Sequence, residues 1–299
     1  MCTMLGLYVV AAPVNVILTV GMTSILACCP CIFLVLPLLN ARLSWLVSDV
    51  IGSSVVYNFS SKCLQSVSNK VSEYMCVFDR TRTTHFPDPK SNEGVHKMNE
   101  RAKNYVSSLI LKGSKLGYLT GSGINYLANY KKDLQSCGDK TPTICADERN
   151  KHAGPKLEKF REMFLTKAKA EGKGVLYFGD GDNDTKVMEE SGCLGIGIEP
   201  APSVEDRAVF SVKSRQAYEH FDKLIPLMLQ AQNSAHWLII EALICNVIAV
   251  LMPLVSWCMY GQLLSMWSSC SLLLAGGAAL SVQANHVATS LVKQHLPDL

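Results

Sequence analysis

Two hydrophobic patterns divide the chain. In its middle, short apolar runs alternate with stretches of helical periodicity. Residues 74–78, 117–119, 175–178 and 194–198 read as strands, and 95–111, 123–134, 155–171 and 184–191 read as the helices between them. Apolar runs this short, each ending in polar residues, are what buried parallel strands look like. Strand–helix alternation predicts an α/β fold with a doubly wound parallel sheet, and function at the carboxyl ends of its strands.

The two ends of the chain show the other pattern. No formal charge occurs from Met1 to Ala41, and Glu241 is the only one between Lys223 and Lys293. A helix needs about 20 apolar residues to cross a bilayer. The C-terminal tract is therefore expected to cross twice, near 237–258 and 263–288, and the N-terminal tract once, near 18–39, broken by proline. A tight N-terminal hairpin is the alternative. A cleaved leader is not expected, because the apolar run lacks a basic start and continues through Pro30 and Pro37. The division is then 1–41, an N-terminal membrane segment; 42–72, a linker; 73–232, an α/β domain with a small cap; and 233–299, two membrane helices with a tail.

Charge sharpens this expectation. Of 28 Lys and Arg, 27 lie between Arg42 and Gln232, which predicts an integral membrane protein with its α/β domain facing the cytoplasm and lipid as a partner. The net charge of +3 carries no basic-aromatic pattern, so nucleic acid is not an expected partner. Seven of the twelve cysteines fall in or beside the apolar tracts, and reduced thiols are expected in the rest.

The candidate chemistry lies at strand ends. Gly179-Asp180-Gly181-Asp182-Asn183-Asp184 comes directly after the third strand, and Asp180 and Asp184 are natural Mg²⁺ ligands. Gly179 and Gly181 would let backbone approach a phosphate. Asp79 ends the first strand, where a carboxylate can attack a phosphoryl group, with the main-chain carbonyl of Thr81 available to the metal. Thr120 ends the second strand and offers a hydroxyl, and Lys156 at the next helix start would neutralise developing charge. Each residue alone also reads blandly: Asp79 as a strand-end cap, Thr120 as a turn hydroxyl, Lys156 as a surface lysine.

As an ordered set, these residues resemble the haloacid-dehalogenase superfamily, and more closely the phosphorylation domain of heavy-metal-transporting P-type ATPases. Asp79-Arg80-Thr81-Arg82-Thr83 is similar to that family's D-K-T-G-T, Thr120-Gly121-Ser122 to its T-G-D, and 179–184 to its G-D-G-x-N-D. The resemblance implies that Asp79 is the phosphorylated nucleophile and that Thr120 and Lys156 hold the phosphoryl group. It also implies that Asp79, Thr81 and Asp180 bind Mg²⁺ and that Asp184 supports lysine and metal. Lys159 is a rival for the lysine role. Cys29-Pro30-Cys31 resembles the family's Cys-Pro-Cys, with Cys28 a third sulfur, and these soft ligands suit Cu⁺ or Zn²⁺. Asn246 and Ser281 fall where the family's pumps carry metal-pathway residues, and both also suit interhelical hydrogen bonding.

The match is incomplete. Only about 35 residues separate Thr83 from Thr120, too few for the family's nucleotide-binding domain, and no actuator domain precedes the Cys-Pro-Cys. Arg82 stands where the family has glycine and Ser122 where it has aspartate. The expected function is that of a reduced heavy-metal P-type ATPase, using ATP or another phosphorylated substrate through an aspartyl phosphate coupled to copper- or zinc-class transport. Self-association or a partner subunit would supply the missing domains. The alternatives are a membrane-anchored Mg²⁺-dependent phosphatase and a catalytically inactive metal- or partner-binding relative.

Overall fold

A computed structural model describes residues 30–59, 67–88, 96–120, 127–146, 153–260 and 266–297. In chain order, these form α1 (Pro30–Ile51), β1 (Val55–Tyr57), β2 (Tyr74–Phe78), β3 (His85–Pro87), β4 (His96–Met98), α2 (Glu100–Leu111) and β5 (Lys115–Thr120). They continue with α3 (Leu127–Ser136), β6 (Ile144–Ala146), α4 (Ala153–Phe160), α5 (Thr166–Ala170), β7 (Gly174–Gly179), α6 (Thr185–Glu189) and β8 (Cys193–Ile198). Last come α7 (Pro202–Glu205), β9 (Phe210–Val212), α8 (Phe221–Tyr260) and α9 (Met266–His295). A π-helical turn, Arg161–Leu165, joins α4 to α5.

Residues 40–233 and 289–299 make one compact unit; 234–288, with the described part of 1–39, make a second. The first unit carries a seven-stranded sheet ordered β1-β9-β8-β7-β2-β5-β6. Every pairing is parallel except β1 with β9. This is the mixed α/β architecture with a parallel sheet that the strand–helix alternation predicts. All five residues of β2 are buried, as a central strand covered on both faces requires. Alternation along the strands sends Met75, Val77, Val175 and Tyr177 into a core with Phe160, Phe164 and Val187. Phe78 and Phe178 stack on the other side at 4.3 Å. Packing is tight enough that a Cβ on Gly117 would lie 2.4 Å from the Phe164 ring.

Several elements differ from their expected course. Residues 96–98 pair with β3 as an antiparallel hairpin, so the helix expected from 95 begins at Glu100. Asn99 caps it, its side chain accepting from the N–H groups of Arg101 and Ala102. β1, β6 and β9 are three-residue strands with no periodic signal of their own. Sheet neighbours define them.

The long helices require a larger correction. Among the described residues, no helix is long and apolar enough to cross a membrane. This overturns the expected C-terminal spans and the expected integral-membrane location; most of the expected N-terminal span, 18–29, lies outside the described residues. The helix bounds also fall elsewhere than the uncharged tracts suggest. α1 continues through Asn40, Arg42, Ser44, Ser48 and Asp49. The first turns of α8 are core, with Leu224, Ile225, Leu227, Met228 and Leu229 fully buried, and Glu241 and Asn246 lie further along the same helix. α9 mixes Ser268, Ser269, Gly276, Gly277, Gln283, Asn285 and His286 among its apolar residues.

Candidate active site

The site assembles where β2 and β7, neighbours in the sheet, end together. Asp79 comes directly after β2 and is 5% exposed, and its N–H donates to the Phe178 carbonyl at 2.8 Å. After β7 the chain turns through a short 3-10 helix, Asp182–Asp184, which folds the Asp184 carboxylate back under the strand end. Its Oδ2 accepts from the N–H groups of Asp180 and Gly181, both at 3.1 Å. Its Oδ1 accepts from the Tyr177 hydroxyl at 2.6 Å and from the Lys156 ammonium. Lys156 also donates to Asp79 Oδ1 at 2.7 Å. One buried ammonium thus ties the carboxylate after β2 to the one after β7.

Gly179 is required by this packing. A Cβ there would lie 2.5 Å from Asp184 Oδ2, so the glycine admits the carboxylate, whatever it does for a phosphate. Tyr177 escapes a sequence reading that treats 175–178 as uniformly apolar. The available signal is that a buried tyrosine needs a partner for its hydroxyl.

Burial dominates the electrostatics. It pushes Asp79 up to about 6; the Lys156 ammonium opposes this and the Asp184 charge adds to it. Asp180 is pushed up to about 7, by burial first and then by the charges of Asp79 and Asp184. Burial works against the Lys156 charge, but Asp184 and Asp79 outweigh it and hold the ammonium above its usual range. Asp79, Asp180 and Asp184 each place a carboxylate oxygen within 4.8 Å of the others. Crowded, desolvated carboxylates that repel one another fit a hard divalent cation. Asp184 already has four donors, which leaves Asp79 and Asp180 as the open ligands and Asp184 as the group that organises them.

The loop after Asp79 is held from several directions. The N–H groups of Thr84 and His85 donate to the Arg80 carbonyl, and Arg82 N–H donates to the His85 carbonyl at 2.7 Å. Arg82 sits at φ +56, a left-handed conformation that costs a residue with a Cβ about 1–2 kcal/mol. The Tyr218 hydroxyl donates to the Thr83 carbonyl at 2.9 Å. His85 is fully buried, and burial lowers it to about 4, so it is neutral at pH 7. Its Nε2 lies 3.1 Å from Asp133 Oδ2 and its Nδ1 3.0 Å from the Thr84 hydroxyl. A neutral ring facing a carboxylate carries its proton on Nε2, so Nδ1 accepts from Thr84. His85, Asp133 and Tyr218 lack any motif that would have singled them out.

Among solved structures, a crystal structure of a zinc-transporting PIB-type ATPase in its E2.Pi state matches with a TM-score of 0.50 at 12% identity, over 90% of this chain. The fold is haloacid-dehalogenase-like. The chain spans 57% of the length of that ATPase. The 3-deoxy-D-manno-octulosonate 8-phosphate phosphatase from Moraxella catarrhalis, in complex with magnesium, phosphate and KDO, matches at 16% identity and TM-score 0.39, over 60% of this chain and 97% of its own. A probable YrbI family phosphatase from Pseudomonas syringae matches at 20% identity and TM-score 0.39, over 60% and 98%. Protein-family profiles give no match, and no curated protein matches in sequence.

Within this haloacid-dehalogenase-like unit, Asp79, Lys156, Asp180 and Asp184 come together as one cluster. Lys156 is the lysine that reaches the carboxylates, with Lys159 one turn further along the same helical stretch. Thr120 is buried at the end of β5, beside β2, and Thr81 makes a β-bridge with His85. The expected transition-metal ligands Cys31, Asn246 and Ser281 all fall in the second unit. Cys28 and Cys29 lie outside the described residues, and Cys31 is on α1. Asn246 and Ser281 belong to the second unit, where Ser281 Oγ donates to the Gly277 carbonyl of its own helix at 2.8 Å. Among the described residues, Asp79, Asp180 and Asp184 form the one metal-capable group of three or more His, Cys, Asp and Glu.

Proposed function

We propose that this chain is a Mg²⁺-dependent phosphoryl hydrolase that acts through Asp79. The observation that carries the reading is the buried Lys156 ammonium bridging Asp79 and Asp184, with Asp180 completing a cluster of carboxylates. In the reaction, an Asp79 carboxylate oxygen attacks phosphorus, and the bond from phosphorus to the leaving oxygen breaks. The leaving group departs and takes a proton from solvent. Water then attacks the aspartyl phosphate, releasing inorganic phosphate and restoring Asp79.

Lys156 positions Asp79 and supplies fixed positive charge against the phosphoryl oxygens. Asp184 holds Lys156 and, through the N–H groups of Asp180 and Gly181, sets the loop that presents Asp180. Asp79 and Asp180 would hold Mg²⁺, which would supply Lewis-acid charge stabilisation at the phosphoryl group. Metal transport forms no part of this reading. It requires helices through a bilayer, and no described helix is long and apolar enough.

The test is hydrolysis of p-nitrophenyl phosphate by the full chain with Mg²⁺. Turnover should be abolished by Asp79→Asn and by chelation, and reduced at least a hundredfold by Lys156→Met. Turnover that survives Asp79→Asn refutes the reading.

A further inference from the structure

Arg82 has no part in the reaction above, yet its position is unusual. The nucleophile loop turns back on itself between Arg80 and His85, and the turn holds Arg82 at φ +56. Glycine takes that conformation without steric cost, whereas a side chain with a Cβ is disfavoured there. Arg82 is exposed while Asp79, Arg80, Thr83, Thr84 and His85 around it are buried. Its positive charge bears on Asp180, where it favours the ionised carboxylate. Among the described residues no ion pair occupies its guanidinium. A left-handed, solvent-facing arginine therefore stands in the turn three residues after Asp79, with its guanidinium in no ion pair among the described residues.

The phosphoryl group has its own cation in Lys156, which is buried and engaged by two carboxylates. Arg82 stands further out, on the exposed side of the same loop. A guanidinium there presents a planar fork that matches the oxygen pair of a carboxylate or phosphate.

We propose that Arg82 is a specificity-determining residue, whose guanidinium binds a second anionic group, carboxylate or phosphate, on a phosphorylated substrate with its phosphoryl group at Asp79. The inference rests on the phosphoryl-hydrolase reading and narrows its substrates to phosphate esters with an anionic leaving group.

The experiment measures binding of phosphoglycolate and ethyl phosphate by titration calorimetry, with Mg²⁺, on the full chain carrying Asp79→Asn to stop turnover. Phosphoglycolate is expected to bind about tenfold or more tightly, the effect of a charge-assisted hydrogen-bonded pair. Adding Arg82→Gln or Arg82→Gly should bring the ratio close to one. Arg82→Gly should also melt about 2–4 °C higher, because the left-handed strain is gone, which shows that the fold is kept. A ratio near one with Arg82 present, a ratio unmoved by its substitution, or no binding of either ester overturns the inference. Hydrolysis of phosphoglycolate or p-nitrophenyl phosphate by the wild type, lost in Asp79→Asn, tests the underlying reading separately. Hydrolysis without a preference removes only Arg82's role. A preference that depends on Arg82 without hydrolysis keeps the anion site and removes the hydrolase.

Discussion

Replacing Lys156 by methionine removes the one cation inside a cluster of carboxylates. The side chains of Lys156, Asp79 and Asp184 are 2%, 7% and 0% exposed, so solvent screens the loss very little. Removing one partner of a buried ion pair typically costs about 3–5 kcal/mol, because a buried charge is left uncompensated. Part of this is recovered by proton uptake, since Asp79 already lies near 6 and would rise further without the ammonium. A net loss of about 3 kcal/mol at pH 7.5 is expected, which lowers Tm by about 6–12 °C at 2–4 °C per kcal/mol. Circular dichroism melts should show this loss shrinking at pH 5, where the carboxylates take up protons. Adding Asp184→Asn to Lys156→Met should cost less than the sum of the two single changes, because each removes the other's liability. A single variant that melts within about 1 °C of the wild type, or strictly additive losses, would refute the account of Lys156 as the electrostatic centre of the fold's active edge.

The same geometry sets two further outcomes. Mg²⁺ affinity should fall as pH drops through 7 and then 6, because Asp180 and Asp79, pushed up to about 7 and about 6, must be ionised to bind the metal. In the metal-free chain both groups hold their proton more tightly than unfolded chain does. The stability they add is present below about 4 and is lost as pH rises through their folded values. Neutral His85 works in the opposite direction below its usual value, so calorimetric metal affinity at pH 8, 7, 6 and 5 is the readout, and a flat profile contradicts the assignment. Gly179→Ala should abolish hydrolysis and cost about 1–3 kcal/mol, since its Cβ would press on Asp184 Oδ2; near-wild-type turnover would show that Asp184 need not stay where it is.

Much of the site is legible in the sequence because its acidic members are local. Asp180 and Asp184 share one turn, and Asp79 is the first polar residue after five buried ones. The same local reading fails at the hairpin, where Val95-His96-Lys97-Met98 continues an apparent helical pattern and only the pairing of His96–Met98 with His85–Pro87 makes it a strand. It fails again at the chain's ends. The described helices there run past the expected limits, into polar residues and into the core.

The residues alone determined the alternation of strand and helix, the placing of carboxylates at strand ends, and an arginine where the resembling motif has glycine. Tertiary structure decided which groups meet. Lys156 joins Asp79 across 77 residues and Asp184 across 28, while His85 finds Asp133 across 48. Local periodicity sets the direction in which a side chain leaves its own element. Its partner depends on strand order and register, and these are fixed only when distant strands compete to bury the same apolar faces.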